Sequence, residues 1–150
     1  MEATTVGSGI LLSQDVDIYE GETAAETVVR MLQNNGYSVD YTGNYETGFY
    51  LARISSESNF VTGNIPEDLR TKLEEHGFEI YDFTPNSLGD YDFTKGSGWM
   101  YQVNGVYPNY GLSDYCFQNG DTLRLRFTLA YGADIGQDMT GGSDNWGYEW

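Results

Sequence analysis

Cysteine, histidine and proline are scarce in this chain of 150 residues, which contains one, one and three of them. Because Cys116 is the only cysteine, no disulfide and no multi-thiolate metal site can form within the chain. His76 lies in the last turn of a predicted helix, where a cation or donor interacts well with free carbonyl groups. No P-loop, HExxH or zinc spacing is present. We therefore predict that the protein is not an enzyme.

Basic residues are also few, since 7 Lys and Arg face 23 Asp and Glu and leave a net charge of −16. The electrostatic field of this negative charge repels phosphate backbones and anionic lipid, so nucleic acid and membrane surfaces are poor partner candidates. No apolar run is long enough to span a bilayer, so no membrane insertion is expected. The acidic composition is common among exported bacterial proteins. We expect an extracellular or cell-surface location, with the signal and anchor outside this chain.

The abundant carboxylates need not mean catalysis or metal binding. A glycosidase needs a close pair of carboxylates, but 23 acids produce chance pairs and none lies in a recognisable strand-end motif. A calcium site remains an open alternative, because the carboxylates of several aspartates could supply oxygen ligands, although no DxDxDG loop is present. These are Asp90, Asp92, Asp134, Asp138 and Asp144. The prediction is a solvated acidic surface without a catalytic or metal site.

The first half of the chain predicts a strand followed by a capped helix. Apolar and polar residues alternate over residues 15–19, which is typical of a strand. Thr23 and Glu26 have the spacing of a capping box, and Gly36 stands where a helix commonly ends. A further strand is expected over residues 49–54. A second, short helix is expected over residues 64–76, with a leucine or isoleucine at every fourth position.

Residues 96–120 carry the most specific pattern in the chain. Trp99, Tyr101 and Val103 share one side of a predicted strand, and Asn104-Gly105 is the dipeptide of a type I′ turn. Pro108 then interrupts the strand pattern, so a loop over residues 107–111 presents tyrosines. After Gly120-Asp121, apolar and polar residues alternate again over residues 122–128 and predict another strand.

The pattern Trp-x-Tyr-x-Val-Asn-Gly, an aromatic or proline loop, Gly-Asp and an alternating strand resembles the DUF4430 domains of bacterial surface proteins. Those domains are similar to the C-terminal β-domain of transcobalamin and intrinsic factor. The resemblance implies an α+β, ubiquitin-like β-grasp, in which a mixed sheet packs on one main helix. It extends over residues 15–136, with an insertion at about residues 65–93 that contains the second short helix. Residues 1–14 are then an N-terminal extension, and residues 137–150 a Gly/Asp-rich tail.

The same resemblance implies a non-catalytic, secreted or wall-attached binding module rather than an enzyme. The domain would supply half of a site for a small, corrinoid-like ligand, opposite a helical toroid domain in the full-length protein. Cobalamin-like ligands are therefore possible, but no resident cofactor is expected. The candidate contacts are Tyr107, Asn109 and Tyr110, with Trp99 as either a ligand platform or a core residue.

An alternative function belongs to a different class of protein. In this interpretation the chain is a structural or adhesive surface module that contacts glycans or proteins through loop aromatics. The tail residues Trp146, Tyr148 and Trp150 could take part in such contacts. The sequence leaves both alternatives open.

Overall fold

The computed structural model describes residues 1–137, and these form an α+β fold, which confirms the predicted class. A mixed sheet has the strand order β2-β1-β7-β6, and an antiparallel sheet has the order β3-β4-β5. The strands are β1 (Glu2–Ala3), β2 (Gly9–Ile10), β3 (Tyr37–Thr42), β4 (Tyr50–Ser56), β5 (Ser87–Gly89), β6 (Gly98–Val103) and β7 (Leu123–Thr128). The helices are α1 (Ala24–Asn34) and α2 (Glu67–Glu75), with short 3-10 turns at Thr4–Val6, Leu112–Asp114 and Ala133–Ile135.

Helix α1 forms where the capping box predicts it. The Thr23 hydroxyl accepts a hydrogen bond from the Glu26 backbone N–H at 3.3 Å, and the Glu26 carboxylate accepts one from the Thr23 N–H at 2.8 Å. One face of the helix is buried in a core that both sheets share. Its apolar residues there are Ala24, Ala25, Val28, Val29 and Leu32. Helix α1 is therefore the main helix of the fold.

Strands β6 and β7 form an antiparallel ladder from Gly98↔Thr128 to Val103↔Leu123. The predicted alternation is confirmed, because Trp99 packs edge-on against Phe127 with ring centroids 5.3 Å apart in the core. At the end of β6, Asn104 and Gly105 have φ angles of 52° and 82°, as a type I′ turn requires. The chain then takes residues 106–122 to reach β7.

The residues predicted as an N-terminal extension belong to the mixed sheet. Strand β1 pairs in parallel with β7 at Glu2↔Arg126, and Ala3 and Val6 are fully buried. The strand predicted over residues 15–19 is wrong, because these residues lie outside any strand. The N-terminal strand is held beside β7 by the Glu2 carboxylate, which binds Arg124 and Arg126.

The second helix begins later than predicted, at Glu67, with Pro66 as its N-cap residue and His76 as its C-cap residue. Its one fully buried side chain is Leu73. After the helix, β5 completes the antiparallel sheet beside β4. A Cβ atom at Gly89 would lie 2.4 Å from the Ala52 carbonyl oxygen, so only glycine fits there. The assignment of residues 65–93 as an insertion stays a prediction, as does the β-grasp.

Candidate functional site

The predicted site loop is anchored at both of its ends to the body of the fold. The predicted loop covers residues 107–111, and we call the longer segment of residues 107–117 the tyrosine loop. Within it, Leu112 and Ser113 are buried, and the Ser113 hydroxyl accepts a hydrogen bond from the Phe49 N–H at 3.3 Å. The Tyr115 carbonyl accepts one from the Ala24 N–H at 2.6 Å, at the first turn of α1. Helix α1 thus positions the loop.

Three phenol groups hold the tyrosine loop in place. The Tyr101 hydroxyl donates to the Tyr110 carbonyl, and the Tyr107 hydroxyl donates to the Ile135 carbonyl at 2.7 Å. The Tyr115 hydroxyl donates to the Asp121 carboxylate at 2.7 Å. Burial raises the pKa of Tyr101 to about 12, and the hydrogen bond to Asp121 raises the pKa of Tyr115 to about 12. These phenols stay protonated at neutral pH and act as donors.

The rings of the loop form a short aromatic row. Tyr110 stacks on Tyr115 with centroids 5.2 Å apart and planes 22° apart. Phe117 then meets Tyr115 edge-on at 5.6 Å. Asn109, whose side chain can both donate and accept hydrogen bonds, is exposed next to Tyr110. The arrangement offers flat apolar area and one amide.

The structure separates the predicted site residues into two groups. Tyr107, Asn109 and Tyr110 lie on the tyrosine loop, as predicted. Trp99 lies in the core with 6% of its surface exposed, and its indole N–H donates to the Leu88 carbonyl at 2.8 Å. Trp99 is therefore a sheet-core residue, and a surface ligand cannot reach its ring.

A groove beside β7 is the feature that the sequence analysis missed. We call it the β7 groove; its volume is about 880 Å³, and it lies between residues 12–18 and residues 117–125, next to Val28 and Met31 of α1. Phe117 borders both the groove and the aromatic row. The only sequence signal for the groove is the alternation over residues 15–19, which predicted a paired strand instead.

The calcium candidates Asp90, Asp92 and Asp134 are each bound to other groups of the protein. Asp90 accepts a hydrogen bond from the Tyr50 hydroxyl at 2.9 Å, and Asp92 pairs with Arg53 at 2.6 Å. Burial raises the pKa of Asp134, which accepts the Leu129 N–H at 2.7 Å. No group of three or more His, Cys, Asp or Glu in residues 1–137 is arranged to hold a metal ion. Asp138, Asp144 and the predicted tail aromatics lie outside the described residues.

Comparison with known protein families bears on the segment that contains the aromatic row. Residues 76–128 match the DUF4430 family model. Its description is a domain of unknown function. The resemblance to DUF4430 is thus confirmed for the segment from the end of α2 to the end of β7, which is shorter than the predicted extent of residues 15–136. No curated protein and no solved structure matches the chain.

The DUF4430 segment contains β5, β6, the tyrosine loop and β7. Its match begins at residue 76, inside the stretch predicted as an insertion. Neither helix in residues 1–137 has the length and apolar character needed to cross a bilayer.

Proposed function

We propose that this chain is a non-catalytic binding module that holds a flat small molecule against the aromatic row of the tyrosine loop. The observation that carries the proposal is the stacked pair of Tyr110 and Tyr115, two half-buried rings on the loop that joins β6 to β7. Stacked rings present a flat apolar surface, and Asn109 next to them can orient a polar group of the ligand.

Preorganisation of the loop supports this function. The hydroxyls of Tyr101, Tyr107 and Tyr115 are all bonded within the protein, so the loop loses little conformational freedom when a ligand binds. A corrinoid is the ligand class that fits the resemblance, and the aromatic row would cover one face of it. A second domain or protein, such as a helical toroid, would then cover the opposite face.

The same proposal places the protein outside a bacterial cell, secreted or on the surface. Its net charge of −16 supports solubility in that setting and disfavours binding to anionic lipid or nucleic acid. Calcium is not required for the proposed site, which contains no carboxylate ligand set. The binding function needs no resident cofactor.

The test is a titration with hydroxocobalamin, followed by two-dimensional amide NMR of the labelled protein. We expect the amide resonances of residues 107–117 to shift. Tyr110→Ala should weaken binding about fivefold, since a stacking contact is worth about 1 kcal/mol. Tyr81→Ala is the matched control, because Tyr81 is 41% exposed and lies outside the tyrosine loop. Unshifted loop resonances at saturating cobalamin would contradict the corrinoid proposal. Equal losses of cobalamin affinity in Tyr110→Ala and Tyr81→Ala would contradict it as well.

A structural or adhesive module is the second candidate, and a separate tyrosine surface favours it. Tyr50 and Tyr91 are 48% and 72% exposed, and Asp90 lies beside them with its carboxylate on the Tyr50 hydroxyl. Exposed rings next to a carboxylate suit contacts with sugar rings or with protein surfaces. Binding on a glycan array that disappears in Tyr91→Ala and persists in Tyr110→Ala would support this candidate over the first.

A further inference from the structure

Strand β7 has one edge that is only partly paired. On one side it pairs with β6 along its whole length, from Leu123 to Thr128. On the other side its single partner in residues 1–137 is Glu2, opposite Arg126. The edge from Leu123 to Leu125 therefore faces the β7 groove without a neighbouring strand. Such an edge can accept an added strand through main-chain hydrogen bonds.

The outer wall of the groove is held away from this edge by contacts on its far side. The Arg30 guanidinium donates to the Asp17 carbonyl at 2.6 Å and lies over the Tyr19 ring at 4.6 Å. At the start of the wall, the Leu11 N–H donates to the Met1 carbonyl at 2.9 Å. Residues 12–18 are thus tied to α1 and to the N-terminal strand, and the space beside β7 stays open.

Both apolar and acidic groups line the open space. Met31 of α1, Leu123 of β7 and Ile18 of the outer wall contribute partly exposed apolar side chains. On the outer wall, Asp15 and Asp17 are exposed, while the nearby cation Arg124 is already paired with Glu2 at 2.7 Å. The groove therefore combines an apolar lining with a negative rim at Asp15 and Asp17, and the two cations beside it, Arg30 and Arg124, are paired with Glu22 and Glu2.

We propose that the β7 groove binds an extended peptide of alternating apolar and basic residues, which adds as a strand along residues 123–125. Side chains of a strand point alternately to opposite sides, so apolar residues can face the lining while basic residues reach Asp15 and Asp17. A second copy of the chain is a poorer fit, because its own sheet edge would have to pass the wall of residues 12–18. This site is separate from the stacked pair Tyr110 and Tyr115.

The test uses a synthetic acetylated and amidated peptide, Lys-Val-Lys-Val-Lys-Val-Lys, titrated into the full chain and followed by amide NMR. Resonances of residues 122–126 and 13–18 should shift, and binding should weaken as salt rises. An isosteric pair of substitutions, Asp15→Asn with Asp17→Asn, should weaken binding about threefold to tenfold. The control pair Asp68→Asn with Glu75→Gln removes the same charge from exposed positions of α2 and should leave the affinity unchanged.

Several results would overturn the proposal. Equal losses of peptide affinity in the Asp15/Asp17 pair and in the control pair on α2 would mean that the peptide responds to net charge alone. Undiminished binding of a peptide with proline at the central valine would exclude strand addition, since proline removes a main-chain donor. Protection of the Leu123 and Leu125 amides from hydrogen exchange without peptide would mean that residues 13–18 or a second copy fill the groove. Tyr110→Ala should leave peptide binding intact, which separates this site from the cobalamin test.

Discussion

At the scale of single residues, the turn after β5 holds two aromatic residues in a conformation that they rarely adopt. Tyr91 and Phe93 have φ angles of 66° and 70°, in the left-handed region. Arg53 stabilises this turn by donating to the Asp92 carboxylate at 2.6 Å, which also accepts the Gly89 N–H at 2.8 Å. The Phe93 ring is buried, whereas Tyr91 is 72% exposed. The backbone cost at Tyr91 is thus not offset by burial of its side chain.

Tyr91→Gly is expected to stabilise the protein. Relief of the left-handed strain exceeds the entropy cost of glycine, so the free energy of unfolding should rise by about 0.5 to 1 kcal/mol. Urea denaturation followed by circular dichroism measures the change. Tyr81→Gly serves as the control, because Tyr81 is also exposed but has no positive φ, and it should destabilise the protein. Equal destabilisation by both substitutions would show that the Tyr91 side chain matters more than its backbone angle.

At the scale of elements, the N-terminus of α1 connects helix formation with the candidate site. The capping box satisfies N–H groups of the first turn, and the Ala24 N–H bonds the Tyr115 carbonyl of the tyrosine loop at 2.6 Å. A local sequence signal therefore defines the helix end, and the helix end then positions a loop far away along the chain.

Thr23→Ala should lower the free energy of unfolding by about 1 kcal/mol, because the Glu26 N–H loses its partner. We also expect the NMR resonance of Tyr115 to shift, since its carbonyl is bonded at the same helix end. Thr71→Ala is the matched control, as the Thr71 hydroxyl bonds only within α2, to the Glu67 carbonyl at 3.0 Å. An unchanged Tyr115 resonance in Thr23→Ala would show that the loop keeps its position without the capping box.

At the scale of the whole molecule, Glu2 joins the beginning of the described chain to its last strand. Its carboxylate accepts from Arg124 at 2.7 Å and from Arg126 at 2.9 Å. Burial by itself would raise the pKa of Glu2, but the hydrogen bonds from both arginines outweigh it and hold the pKa below its usual value. A lowered pKa means that the pairing stabilises the fold at neutral pH and is lost as the pH falls through the folded-state pKa.

Glu2→Gln should therefore destabilise the protein in a pH-dependent way. Above pH 5 we expect the free energy of unfolding to fall by about 1 to 2 kcal/mol. This is less than for a fully buried ion pair, because Arg124 is partly exposed. The difference from the unsubstituted protein should shrink as Glu2 becomes protonated at lower pH. Urea denaturation at pH 7, 5 and 3 measures this difference in the free energy of unfolding. Glu20→Gln, at an exposed position, should change stability by less than about 0.5 kcal/mol, and a pH-independent loss in Glu2→Gln would argue against the ion pairs.

Much of the local structure follows from the sequence alone. The Thr23 capping box determines where α1 starts, and the Asn104-Gly105 dipeptide determines the turn after β6. The alternation over residues 98–103 and 123–128 determines which faces of β6 and β7 are buried. These signals act within a few residues, so they need no knowledge of distant parts of the chain. The Asn104-Gly105 turn and the alternation in β6 and β7 carry the DUF4430 resemblance that the match over residues 76–128 confirms.

The tertiary structure determines which segment pairs with β7. The alternation over residues 15–19 predicts a strand there, and residues 1–14 are predicted to lie outside the sheet. The structure pairs Glu2 with β7 instead, because Arg124 and Arg126 bind its carboxylate and Ala3 is fully buried. The same choice leaves the β7 groove open. Strand pairing joins residues more than a hundred positions apart, so its outcome depends on the packed core rather than on local pattern.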